Sequence, residues 1–350
     1  MMIVLLCTMY KHECNGYTMY LFANNVKYLQ KEFLSSQALV NIRRKKHQLC
    51  LIIVSSTPSF LHYFYLCPMN FNENQTIHIA ILDLYEGVEN QGMRGIREII
   101  YQFGEINHLN IITKEFDVRL KNELPDNSFD IYISSGGPGS PTASEGTEWD
   151  TLYFQWIENM ERWNNNPSHE QKKYIFFICH SFQLACRYYK IGEITRRRST
   201  SFGVFPIHLL EEGINEPVFE GMTDPFYAVD SREYQVVQPK YNRLRGIGAK
   251  VLCIEKDRPH VPYERAIMGI RFSEYFMGMQ FHPEADPTGM SMYLQTEEKK
   301  KMVIENYGLA KWESMIEQLN DPDKISWTNS HLLPNFLNIA LNSLHAVNVD

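Results

Sequence analysis

None of the seven cysteines pairs with another in C-x-x-C spacing, so the ligand pattern of a zinc ribbon or a dithiol redox centre is missing. Their number is odd and their positions (7, 14, 50, 67, 179, 186 and 253) are irregular, so no disulfide framework is implied. The three in the main body read as reduced cytosolic thiols. There is no Walker-type phosphate loop and no H-E-x-x-H helix, which removes two common routes to phosphoryl transfer and metal-assisted hydrolysis. Repeats and low-complexity segments are also missing. Nothing in the pattern asks for a metal or an organic cofactor.

Positive charge is scarce where it would matter for nucleic acid. Residues 1–68 carry seven Lys/Arg against two Asp/Glu, a net of +5. The overall −7 therefore leaves −12 on residues 69–350. An acidic body argues against nucleic-acid binding as the main task. Arg196-Arg197-Arg198 is the only basic cluster near the candidate site, and its plainest reading is a solvated turn after a helix.

The first 68 residues do not match the rest. Three readings stand beside one another: a leader wrongly joined to the chain ahead of a start at Met69, a membrane anchor, or a genuine but dispensable extension. The anchor reading rests on Leu49 to Cys67, 19 residues without Asp, Glu, Lys or Arg, preceded by Arg43-Arg44-Lys45-Lys46. Ser55, Pro58 and His62 interrupt that stretch, so a membrane role is disfavoured and a cytoplasmic location expected. Met1–Met9 lacks the basic region and cleavage site of a signal peptide.

From residue 69 the pattern is that of an α/β sandwich with a mainly parallel sheet. Ile77–Leu84 is a nearly continuous apolar run of strand length, as in sheets covered on both faces. Met93, Ile96, Ile99, Ile100 and Phe103 follow at helical spacing. Strands are expected over 110–118, Phe129–Ser134 and Tyr174–Ile178, with a helix over 148–163. Shorter strands follow at Val204–Leu209, Gln235–Val237, Lys250–Glu255, Ala266–Phe272 and Tyr275–Phe281. Beyond residue 290 the periodicity is helical, with Leu309, Trp312, Met315, Ile316 and Leu319 on one face and Phe336, Leu337, Ala340, Leu341 and Leu344 on another. This divides the chain into an atypical extension (1–68), a catalytic-type domain (69–290) and a helical extension (291–350).

The chemistry-bearing residues sit at the junctions. In Tyr174-Ile-Phe-Phe-Ile-Cys179-His-Ser-Phe-Gln183 a thiol lies between a buried strand and a helix, the position of a nucleophile on a sharp turn. The positive end of a helix opening there favours thiolate. About a hundred residues later, Gln280-Phe-His282-Pro-Glu284 supplies a base and a carboxylate to orient it. The backbone N–H of His180 and one from the Gly136-Gly137-Pro138-Gly139 loop would face an oxyanion. Alone, each part has a bland reading: a core thiol, a turn, a surface loop. Asp83, at the end of the first strand, is read as a loop cap, and Cys186, two turns beyond Cys179, as helix core.

Taken together, SGGPGSP at 135–141, the Cys179 segment with Gln183, and QFHPEAD at 280–286 resemble class I glutamine amidotransferases, over roughly Ile77 to Asp286. The amidotransferase domain of GMP synthase is the natural comparison. The resemblance implies a flavodoxin-like fold, a Cys179–His282–Glu284 triad that releases ammonia from glutamine through a glutamyl thioester, and an oxyanion hole at Gly137 and His180. It also implies glutamine contacts at Gln183 and the Gly136 loop, and possible delivery of ammonia to a separate synthetase subunit. The family usually reads G-x-C-x-G-H-Q at the nucleophile. Here Phe177 and Ser181 replace both glycines, implying a different fit or a less strained turn. A second likeness competes. Phe226-Tyr-Ala-Val-Asp-Ser231-Arg232-Glu-Tyr234 is similar to a segment of amidotransferase-like homoserine O-acyltransferases, in which Arg232 would hold a substrate carboxylate; otherwise it is a strand-edge surface arginine. A non-catalytic binding or regulatory module is the third possibility.

Overall fold

The computed structural model describes residues 76–258 and 264–347, together with the backbone of five short strands between Tyr10 and Tyr65. The chain divides into two units, Met1–Asn72 and Glu73–Asp350. In the first, strands at Tyr10–Cys14 and Tyr17–Leu21 pair antiparallel, as do those at Leu39–Lys45, Gln48–Thr57 and Phe60–Tyr65. The stretch considered above as a spanning helix therefore falls largely in strands. Among the described residues, no helix is long and apolar enough to cross a membrane.

The second unit is built on a nine-stranded sheet. Its parallel half consists of β1 (Thr76–Asp83), β2 (Asn110–Asp117), β3 (Ile131–Ser134) and β4 (Tyr174–Ile178), joined by β9 (Phe276–Met279). Its antiparallel half is β5 (Glu193–Leu209), β6 (Phe226–Val237), β7 (Lys250–Glu255) and β8 (Ile267–Arg271). Across the sheet the order is β6-β5-β7-β8-β9-β4-β3-β1-β2. This is the α/β architecture expected from the sequence.

Helices cover both faces. α1 (Gln91–Asn107) follows β1, α2 (Glu148–Asn165) follows β3, and α3 (His180–Tyr189) follows β4. Every residue of β3 and β4 is buried, as the unbroken apolar runs require of parallel strands clad on two sides. Alternation along β4 sends Ile175 and Phe177 into the core shared with Trp156 of α2 and Phe182 of α3. The other face turns Tyr174 and Phe176 toward Phe336 of the C-terminal helix Trp327–Val347.

The helices after Asp286 pack onto this body. Met290, Leu294, Val303, Met315 and Leu319 share one buried cluster with Phe202 and Val204 of β5 and Val229 of β6. The helical extension thus shares its core with the sheet.

The structure departs from the expected elements most at β5, which is 17 residues long and begins at Glu193. Arg196-Arg197-Arg198 lies inside it rather than in a turn. Arg196 is exposed, 3.3 Å from Glu233. Arg197 is turned inward onto Glu255 at 3.1 Å, with its side chain only 8% exposed. A run of charges masks the strand because its partners lie on β6 and β7, 37 and 58 residues away in sequence.

Candidate active site

The parallel strands end at one edge of the sheet, and the candidate residues emerge there, as expected for an open α/β sheet. Cys179 follows β4 immediately and precedes α3. Its backbone sits at φ 49°, ψ −95°, a conformation that costs a non-glycine residue energy and persists only where its surroundings impose it. The turn is thus a strained elbow despite the missing glycines.

Two local arrangements make this possible. The Ser181 hydroxyl accepts from the Ile178 N–H (2.8 Å) and donates to the Ser134 carbonyl (2.7 Å), tying the elbow to the end of β3. The space that Phe177 needs comes from the next strand, where Gly278 stands opposite it in register. A β-carbon at Gly278 would lie 2.9 Å from the Phe177 Cβ and 2.9 Å from its carbonyl oxygen.

The imidazole and carboxylate arrive after β9. His282 is held by a bridge to β6, with its N–H donating to the Val229 carbonyl at 2.8 Å. Its Nδ1 lies 2.7 Å from Glu284 Oε1. Glu284 is only 1% exposed, and its Oε2 has no hydrogen-bond partner. Burial by itself would make His282 harder to protonate. The Glu284 carboxylate and the Cys179 thiol outweigh it and hold the imidazole well above its ordinary range. His282 is thus disposed to carry a proton beside the sulfur.

The sulfur has two further neighbours. Its S–H points at the Ser231 carbonyl (3.7 Å), and Gln280 Nε2 donates toward it (3.7 Å). Gln183 stands behind Gln280, donating from Nε2 to Gln280 Oε1 (2.9 Å) and to the Tyr234 carbonyl (3.1 Å). The Gln183 amide nitrogen is engaged by these two acceptors, leaving Oε1 as its open group.

A cavity of about 480 Å³ brings these groups together. Cys179, His180, Gln183, Gly137, His282 and Glu284 all line it, and so does Arg232. Gly136 borders the same space, since a β-carbon there would lie 2.9 Å from His282 Cε1 and 3.6 Å from Cys179 Cβ. All eight residues singled out in the sequence therefore meet in one place. Helices α4 (Pro287–Gln295) and α5 (Glu297–Tyr307) contribute a wall through Met290, Tyr293 and Lys299.

Two of the eight behave unexpectedly. The His180 side chain is 2% exposed, and burial, with Arg119 and Arg187 nearby, depresses its pKa to about 3. It is a neutral ring at ordinary pH, and its Nε2 is buried without a hydrogen-bond partner. Arg232 is not a surface residue. Its side chain is 1% exposed, Nε donates to both Asp230 carboxylate oxygens (2.8 and 2.9 Å), and its Nη2 lies 3.6 Å from Glu255. Arg197 and Arg258 join the same buried network at Glu255. The cluster links β5, β6 and β7, while the Arg232 Nη1 and Nη2, though buried, have no hydrogen-bond partner.

Tyr85, Gln280 and Ser181 are site residues that sequence reasoning missed. Gln280 and Ser181 lie within the motifs themselves, but only the fold reveals their partners. Asp83 fulfils the capping role read from the sequence, accepting from the Tyr85 N–H at 2.8 Å. Cys186 is fully buried in α3, and burial pushes its thiol up.

Residues 81–300, well over half of the chain, match the family model described as glutamine amidotransferase class-I. The chain belongs to that family. Among solved structures it is similar to a glutamine amidotransferase from Thermotoga maritima, at 14% identity and a TM-score of 0.54, covering 75% of this chain and 98% of that one. It is also similar to the protein SMU.1228c, at 18% identity and a TM-score of 0.50, covering 76% and 100%. A glutamine amidotransferase from Methylobacillus flagellatus follows at 13% identity and a TM-score of 0.47, covering 75% and 94%. At such identities the likeness of the first two is one of fold. No curated protein sequence matches the chain.

Proposed function

We propose that this chain hydrolyses the side-chain amide of glutamine through Cys179, His282 and Glu284 and passes the ammonia to an acceptor. The observation that carries the reading is the 2.7 Å His282–Glu284 contact beside a thiol held on a strained strand-to-helix elbow.

The reaction follows from those positions. The Cys179 thiolate attacks the amide carbon, and the developing oxyanion takes hydrogen bonds from the Gly137 and His180 backbone N–H groups. Protonated His282 gives its proton to the departing nitrogen, the C–N bond breaks, and ammonia leaves a glutamyl thioester. Water then attacks the thioester carbonyl and yields a proton to His282. The C–S bond breaks, releasing glutamate and regenerating the thiolate. Glu284 holds Nδ1 and stabilises the charged ring throughout. Gly136 leaves room for the substrate, and Gln183 Oε1 is free to accept from its amino group. A separate synthetase subunit would take the ammonia, as the family resemblance implies.

The homoserine O-acyltransferase reading needs Arg232 to clamp a substrate carboxylate. Its Nε is taken by Asp230, but its Nη1 and Nη2 have no hydrogen-bond partner and the residue lines the cavity, so the assay and not Arg232 separates the two readings. Ammonia release from glutamine, assayed for the wild type and Cys179→Ala, tests the proposal. Release by the first and none by the second is expected. Acyl transfer from an acyl-CoA to homoserine without glutamine use would overturn it.

A further inference from the structure

β1 ends at Asp83, and the chain turns at once. The Tyr85 N–H donates to the Asp83 carboxylate (2.8 Å), the Val88 N–H donates to the Tyr85 carbonyl (3.0 Å), and Glu86 and Gly87 take φ of 57° and 73°. This tight turn directs the Tyr85 ring into the cavity that holds Cys179 and His282.

Two glycines on different elements leave the slot its hydroxyl fills. At Gly92, in the first turn of α1, a β-carbon would overlap the Tyr85 oxygen, and the same point lies 3.1 Å from Glu284 Oε1. At Gly136, a β-carbon would lie 3.1 Å from the Tyr85 oxygen and 2.9 Å from His282 Cε1. The hydroxyl thus lies close to the Cε1 edge of the imidazole and to the Glu284 carboxylate, in the space that the two missing side chains leave. Burial, then Glu284 and Cys179, hold the phenol well above its ordinary range. It remains an O–H, able both to donate and to accept.

We infer that Tyr85 holds the water that hydrolyses the thioester. This rests on the proposed thioester chemistry and adds a fourth working side chain to it. Attack requires a water beside the imidazole that will take its proton. With Nδ1 occupied by Glu284, that water stands at the other ring nitrogen. The Tyr85 hydroxyl supplies its second anchor, fixing the oxygen toward the thioester carbonyl. The water's proton passes to His282, its oxygen bonds to the acyl carbon, and the C–S bond breaks. Tyr85 gains and loses nothing in the step. Departing ammonia needs no such anchor, so the hydroxyl acts on deacylation more than on acylation.

Tyr85→Phe keeps the ring and removes only the oxygen. With glutamine as substrate, kcat is expected to fall about tenfold, the size of one lost hydrogen bond in a transition state. KM falls with it, leaving kcat/KM nearly unchanged. Intact-mass analysis of quenched reactions should find the glutamyl adduct on Cys179 accumulating, and hydroxylamine, a stronger nucleophile than water, should restore turnover. An unchanged kcat would overturn the assignment, as would an equal loss of kcat and kcat/KM without adduct. Either of those leaves the amidotransferase reading standing. Wild-type protein that neither releases ammonia nor forms an adduct removes both.

Discussion

Gly278 of β9 stands directly opposite Phe177 of β4, with 2.9 Å between the place of its missing side chain and the Phe177 backbone oxygen. The family's glycine two residues before the nucleophile is replaced by a bulky ring, and the clearance for that ring lies on the neighbouring strand. Gly278→Ala would press into Phe177 and into Phe182, which lies 3.1 Å from the same point. Overpacking of this kind costs about 1–3 kcal/mol. A lowered melting temperature with a matching loss of activity is the expected outcome, because Cys179 is two residues from the collision. Unchanged stability would show that the strand pair yields freely.

His180 gives the protein an acid-sensitive point. Burial and the neighbouring Arg119 and Arg187 set its pKa at about 3 in the folded chain, against an ordinary value near 6.5 once unfolded. Between those values the unfolded chain binds the extra proton and the folded chain does not. This contribution therefore lowers stability as pH falls from about 6.5 toward about 3. His180→Asn removes the titrating ring and should flatten the loss measured by urea unfolding at pH 7 and pH 5. An unaltered slope would contradict the assignment.

Glu284 works in the opposite direction on His282. The carboxylate and the thiol keep the imidazole protonated above its ordinary range, so the pair stabilises the fold below about pH 6.5. That stability fades as pH rises through the elevated value. In Glu284→Gln the opposing effect of burial is less offset, and the ring should titrate lower, as read by imidazole NMR. Ammonia release should fall by about 10²–10⁴-fold, the usual worth of a positioned acid–base group. An unmoved titration would mean that Glu284 does not hold the charge.

Much of this site was legible in the sequence because its parts sit where strands meet turns. The buried run before Cys179 and the order of GGPG, Cys and HPE along the chain identified which residues converge. What stayed hidden depends on partners far away in sequence. Arg232 reads as a substrate clamp or a surface residue, and only the fold shows that it is buried against Asp230 and Glu255. The triple arginine hid the first half of β5, since nothing local reveals that Arg197 turns inward. Phe177 and Ser181 implied a different fit or a less strained turn; Cys179 keeps a positive φ, and the fit is the part that differs, with Gly278 and the Ser134 carbonyl standing where local glycines would serve. Tyr85 has no motif of its own, and its place depends on two glycines from other elements.

The most direct measurement is labelling with a glutamine analogue that carries an electrophile in place of the amide, followed by peptide mapping. Modification should fall on Cys179 alone, sparing the fully buried Cys186 and Cys253, and saturating glutamine should protect it. No adduct at Cys179, or equal modification of the three thiols, would contradict the account.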